Sequence, residues 1–163
     1  MSLNIELARH NMIEQQVRPW DVLDSRVLEA LTAVRREDFV PPACRNLAFA
    51  DLCLPLGHDE TMMKPVVEGR ILQAASPTRA ESVLEIGTGS GFLTACLARL
   101  SSEVLSVDVH ADFARGFLLG QTDGFDDFGF FGRRQEVFYF AHQNLTSTGF
   151  SAPATDLKYG FSG

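Results

Sequence analysis

At 163 residues, with 45% hydrophobic and 21% charged side chains, the chain has the size and composition of one soluble globular domain. A net charge of −7 gives no broad attraction for phosphate backbones, which argues against general nucleic-acid binding. Three cysteines without a C-x-x-C spacing, and the absence of any long apolar run, argue against a disulfide framework, a zinc site, a signal peptide and a membrane span; the expected setting is the cytoplasm.

In chain order, residues 4–17 read as a helix. Ile5, Ala8 and Met12 fall at helical spacing with Ile13 and Val17 beside them, and Pro19 ends the pattern. Asp24 is a good N-cap for a second helix in which Val27, Leu31 and Val34 share a face, and Pro41-Pro42 closes that unit. The pair Arg35-Arg36, like Arg133-Arg134, reads as solvated surface, the usual fate of a short charge run. Residues 44–64 read as irregular, with an extended piece near Leu52–Leu56 and a turn at Gly57. Pro65 stands where a first helical turn accepts proline, and Val67, Ile71 and Ala74 then mark one apolar face.

The pattern changes at Ser82. Ser82–Ile86 is an apolar run of strand length, Gly87-Thr88-Gly89-Ser90-Gly91 follows, and Leu93, Leu97 and Leu100 mark a helix. Glu103–Val109 is a second strand-length run. Strand, helix and strand in this span make a βαβ unit, the building block of a parallel sheet. From Phe113 onward the composition shifts. Ten of the thirteen phenylalanines and eight of the thirteen glycines lie there, and no Ile or Met. Phe125, Phe128, Phe130 and Phe131 among Gly and Asp fit neither a helical nor a strand period. Glu136–Phe140 is the one strand candidate in this tail.

The glycine turn carries the chemistry. A strand-to-helix turn presents backbone N–H groups and the positive end of a helix dipole, and glycine lets a ligand approach the main chain. Gly87, Gly89 and Gly91 supply that surface, and Asp108 ends the next strand, where a carboxylate accepts hydrogen bonds from ribose hydroxyls. The dinucleotide fingerprint requires a glycine where Phe92 stands, and no P-loop lysine follows, so a nicotinamide enzyme and a P-loop NTPase are disfavoured. A glycine-rich turn without a ligand is the plain alternative. His58 and Glu60 have catalytic chemistry but read as exposed loop polars.

Val83-Leu84-Glu85-Ile86-Gly87-Thr88-Gly89-Ser90-Gly91-Phe92-Leu93-Thr94 resembles the first motif of the protein-L-isoaspartate O-methyltransferases. Met12–Gln16 resembles that family's N-terminal helix, Arg36-Glu37-Asp38-Phe39-Val40-Pro41 its R-x-x-F-V-P segment, and Ala48–Asp51 with Leu54–Gly57 the stretch before its substrate loop. The similarity runs from about Asn4 to about Asp112.

The resemblance implies an α/β, Rossmann-like, S-adenosylmethionine-dependent methyltransferase fold with an N-terminal helical extension, incomplete at its C-terminus. It implies cofactor contacts by Glu85, Gly87, Thr88, Gly89 and Gly91, a ribose contact by Asp108, no metal, and methylation of isoaspartyl carboxylates in damaged proteins. Residues 1–80 would form the helical and substrate-loop region, 81–112 the start of the cofactor domain, and 113–163 a divergent tail. The family's loop serine is replaced by Met63, which donates no hydrogen bond; Thr61 keeps a hydroxyl two residues earlier. The alternative is therefore a catalytically impaired S-adenosylmethionine-binding relative or fragment. The break near Phe113 leads to two further expectations: an out-of-frame or truncated reading of a longer gene, and, if the tail does not complete the sheet, uncovered apolar faces on the strands at Val83 and Val104.

Overall fold

A computed structural model of the chain describes residues 4–113 and the backbones of two further strands, 128–133 and 136–142. Helix α1 (Ile5–Met12) starts where Asn4 accepts a hydrogen bond from the Leu7 N–H. The chain then widens into a π turn at Ile13–Val17 and tightens into a 3-10 turn at Arg18–Trp20. The single helix expected over 4–17 is thus regular only to Met12, and Pro19 lies inside the 3-10 turn. The change of pitch leaves Met12, Ile13 and Val17 all in the core. Helix α2 (Ser25–Ala33) is capped by Asp24, which accepts from the Arg26 N–H at 2.9 Å. Val27, Leu31 and Val34 are buried as the spacing predicts.

Two expectations fail in the next segment. Pro41-Pro42 does not close the helical unit, because Pro42 opens a further 3-10 turn, Pro42–Leu47. Residues 44–64 are also more regular than expected, since β1 (Leu54–Gly57) and β2 (Glu60–Met62) form an antiparallel hairpin. Its turn is centred on His58 and Asp59, at φ 54° and 60°, rather than on Gly57.

Helix α3 (Pro65–Ala75) has proline in its first turn. Its buried side is Pro65, Val66, Glu68, Gly69 and Leu72, while Val67 and Ile71 are exposed. The apolar face expected from Val67, Ile71 and Ala74 therefore points the wrong way. The reason lies in the partners of α3. Gly69 lets the helix approach Val17 and Val22, and Glu68 is drawn inward by Arg36. A Cβ at Gly69 would meet Val17 Cγ1 at 2.9 Å and Val22 Cγ2 at 3.3 Å. Gly69→Ala is expected to lower stability by about 1–3 kcal/mol through overpacking, despite a gain in helix propensity of up to about 1 kcal/mol. Urea denaturation measures the sign, and a more stable variant would contradict this packing.

Arg36 is fully buried, contrary to its reading as solvated surface. Its guanidinium donates to the Ala48 carbonyl, the Met63 carbonyl and the Glu68 carboxylate, and lies 4.9 Å from the centre of the Phe92 ring. Arg9 is likewise buried against Glu37. Burial pushes the Glu68 carboxyl up to about 8, against the pull of Arg36. A carboxyl raised in the folded chain stabilises it below the ordinary value and loses that contribution as pH rises through the folded value. The thermal midpoint is therefore expected to fall between about pH 4.5 and 8, and Glu68→Gln to flatten that slope in a pH series of melts.

The βαβ unit is built as its sequence predicts. Strand β3 (Ser82–Ile86), helix α4 (Phe92–Leu100) and strand β4 (Glu103–Asp108) follow in order, with β3 parallel to β4 in register from Ser82↔Glu103 to Ile86↔Val107. Two further strands, β5 (Phe128–Arg133) and β6 (Glu136–His142), form an antiparallel hairpin, and β6 pairs antiparallel with β4. The sheet order is β3-β4-β6-β5. The strand expected at Glu136–Phe140 is present and slightly longer. The segment around Phe128–Phe131, read as aperiodic, is also a strand: its regularity lies in backbone pairing with β6. Phe125 and the tail beyond His142 lie outside the described residues.

Alternation along β3 and β4 puts Val83, Glu85, Val104 and Ser106 on one face. That face belongs to the core with α4, in which Phe92, Ala95 and Cys96 are fully buried. On the other face Leu84 is 56% and Ile86 82% exposed. The uncovered apolar residues are thus Leu84 and Ile86. Val104 is fully buried and Val83 half-buried, because the helices cover the face those two occupy.

Candidate functional site

The turn between β3 and α4 holds three glycines at positive φ: Gly87 at 96°, Gly89 at 53° and Gly91 at 81°. L side chains avoid this region, so the path depends on glycine. The three glycine amides are not free donors. Gly87 N–H donates to the Val107 carbonyl at 2.7 Å, Gly89 N–H to Asp108 Oδ2 at 2.9 Å, and Gly91 N–H to the Thr88 carbonyl at 2.8 Å. What the glycines supply is a bare main chain. A Cβ at Gly87 would meet nothing within 4 Å, and one at Gly89 would meet only Leu56 Cδ1, at 3.5 Å. The turn therefore leaves open space at its surface, bordered by the β1–β2 hairpin.

Asp108 closes the other side. Its Oδ2 accepts from Gly89 and its Oδ1 from the His110 N–H at 2.8 Å. A carboxylate has about four lone-pair sites, so acceptor capacity remains for two further hydroxyls. The adjacent parallel strand delivers this group to the C-terminal edge of the sheet, where ligands bind in open α/β folds.

Two of the sequence-predicted residues face inward. Thr88 is buried with its Oγ1 2.7 Å from Ser106 Oγ. Glu85 is buried and accepts from Thr94 Oγ1 on α4, while its Oε1 has no partner among the described residues. Burial pushes the Glu85 carboxyl up, hydroxyls of Ser106 and Thr94 draw it back, and the charge of Asp108 adds to the rise. These side chains tie the turn to the sheet and to α4 from below.

Of the substrate-loop positions, Thr61 and Glu60 are exposed on β2. Met63 is half-buried and fixed through its carbonyl by Arg36. His58 is not a solitary loop polar. Its Nε2 lies 2.8 Å from Asp112 Oδ2, its ring stacks on His110 with centroids 4.1 Å apart, and Phe113 meets both imidazoles edge-on. The contact with His58 holds the Asp112 carboxyl below its usual range. His110, Asp112, Phe113 and Leu56 were missed at the level of sequence. The signal available was position: polar residues directly after the C-terminal end of a parallel strand belong to the ligand-binding edge.

Among the described residues no group of three His, Cys, Asp or Glu is placed to hold a metal, and no helix is long and apolar enough to cross a membrane.

The family model described as Protein-L-isoaspartate(D-aspartate) O-methyltransferase (PCMT) matches residues 8–115. Among curated proteins, the protein-L-isoaspartate O-methyltransferase of Gloeobacter violaceus is 40% identical over 104 residues, 64% of this chain and 51% of that protein. The Aeropyrum pernix protein of the same name is 47% identical over 93 residues, 57% of this chain and 36% of its own. The chain thus spans about half, or less, of the length of these relatives. Among solved structures, a Plasmodium falciparum protein-L-isoaspartate O-methyltransferase in complex with S-adenosyl-L-homocysteine superposes with a TM-score of 0.58 at 18% identity, covering 72% of this chain and 54% of that one. A second protein-L-isoaspartate O-methyltransferase gives 0.55 at 21% identity, covering 68% and 37%.

Proposed function

From a chain that belongs to the protein-L-isoaspartate(D-aspartate) O-methyltransferase family, and has that family's Rossmann-like fold, we propose S-adenosylmethionine-dependent methylation of isoaspartyl carboxylates in proteins. The observation that carries the reading is the bare glycine turn beside Asp108. Gly87 has open space where any other residue would place a Cβ, and the Asp108 carboxylate stands next to it with acceptor capacity to spare.

S-adenosylmethionine would supply an electrophilic methyl group on a sulfonium. The chain's own residues have the remaining tasks. Gly87 and Gly89 admit the ligand to the main chain, Asp108 accepts from the ribose hydroxyls, and Glu85, Thr88 and Gly91 hold the turn in shape from within. The β1–β2 hairpin, whose Leu56 borders the space over Gly89, would present the acceptor. An isoaspartyl carboxylate is already ionised at neutral pH, so the transfer needs alignment more than a base. A cytoplasmic setting agrees with three free cysteines, and the net charge of −7 favours a protein over a nucleic-acid acceptor.

One observation favours a second reading, cofactor binding without repair. Met63 occupies the serine position of the resembling loop and offers no hydroxyl, and Thr61 is the nearest one on β2. Two measurements on the whole chain separate the readings. Saturable binding of S-adenosylhomocysteine together with labelled methyl transfer to an isoaspartyl peptide, and none to its aspartyl isomer, supports methyl transfer. Binding without transfer leaves the second reading, and a folded chain that does not bind ends both.

A further inference from the structure

The His58 cluster lies outside the residues that the resemblance assigns to the cofactor. We propose that His58 is a positioning residue that latches the β1–β2 hairpin onto the segment after β4 and, through His110, steadies Asp108 at the glycine turn. The inference rests on the cofactor reading for its functional consequence.

Three observations carry it. The first is the turn itself: His58 and Asp59 adopt φ 54° and 60°, two left-handed residues in succession that make the tip of the hairpin tight. The second is the set of contacts that this tip makes. His58 Nε2 reaches Asp112 at 2.8 Å, and its ring stacks on His110 at 4.1 Å with 11° between the planes, while Phe113 closes the edges of both rings. The third is continuity with the site. The residue that stacks on His58 is the residue whose N–H donates to Asp108 Oδ1, and Asp108 Oδ2 in turn accepts from Gly89. Leu56, two residues before His58, borders the same glycine. A hairpin held at its tip by His58, with Leu56 bordering the space over Gly89, flanks the turn on one side and braces its carboxylate on the other.

His58 and Asp112 are exposed enough that the fold does not depend on them: their side chains are 44% and 65% accessible, and exposed pairs contribute little to global stability. The expected result for His58→Ala is an unchanged melting temperature, with about threefold faster hydrogen exchange at the Gly89 and His110 amides and about threefold weaker S-adenosylhomocysteine binding. His58→Gln, which keeps a donor toward Asp112, should restore part of both. In the double variant His58→Ala with Asp112→Ala the losses should not add, because both substitutions remove the same His58–Asp112 contact. Unchanged exchange at both amides in folded His58→Ala overturns the proposal whether or not the cofactor product binds. Faster exchange in a chain whose wild type binds no S-adenosylhomocysteine supports the latch and overturns the cofactor reading alone.

Discussion

Asp108→Ala is expected to weaken S-adenosylhomocysteine binding by about a hundredfold, because hydrogen bonds to a charged group contribute roughly 1.5–3 kcal/mol each. Two losses combine. The ribose hydroxyls lose a carboxylate acceptor, and the N–H groups of Gly89 and His110 lose theirs at 2.9 and 2.8 Å, so the turn itself loosens. Asp108→Asn keeps the shape and one carbonyl acceptor, and should fall between wild type and alanine. Isothermal titration calorimetry on the folded variants reads the effect. An alanine variant that binds as tightly as wild type would remove Asp108 from the cofactor site and with it the main support for the proposed function.

The second large effect is expected in stability. Arg36→Ala should cost about 3–5 kcal/mol, the range for removing one partner from a buried charged hydrogen-bond network. Folded domains are stable by only about 5–15 kcal/mol, so much of the variant should unfold in mild denaturant. The cause is specific. Arg36 is fully buried and joins three segments, through the Ala48 carbonyl, the Met63 carbonyl and Glu68, beneath the Phe92 ring at the start of α4. Its removal leaves the buried Ala48 carbonyl and Glu68 carboxyl, and the part-buried Met63 carbonyl, without their donor. Replacing both charges, Arg36→Met with Glu68→Leu, should destabilise less than Arg36→Ala, since an apolar pair carries no desolvation cost. Urea denaturation compares the three, and a wild-type midpoint for Arg36→Ala would show that the buried network contributes nothing.

The glycine turn and the buried network differ in how far they could be read in advance. The turn was legible because everything that defines it is local. A strand-length apolar run, three glycines, a helical period and an acidic residue at the next strand end occur within Ser82–Asp108, and each acquired the structure its neighbours in sequence imply. The same holds for Asp24 as a cap and Pro65 in the first turn of α3. What the local pattern did not contain was the use of the amides. The glycine N–H groups are taken up by Val107, Asp108 and Thr88, and two of those acceptors lie across the sheet.

The face of α3 shows the other side of the division. Val67, Ile71 and Ala74 have a helical period, and so do Val66, Gly69 and Leu72; hydrophobicity along the segment does not choose between them. Tertiary contact chose, because only the second set lets Gly69 meet Val17 and Val22 and lets Glu68 reach Arg36. His58 is the same case at the site. In the sequence it is a polar residue in a loop, and its partners His110 and Asp112 lie more than fifty residues away. The sequence by itself therefore determined the βαβ unit and its glycine turn, since backbone conformation and helix capping are set within a few residues. Only the tertiary structure decided which charges are buried, which helix face packs inward and which loop residue meets the cofactor edge. Those outcomes depend on partners that distant parts of the chain supply.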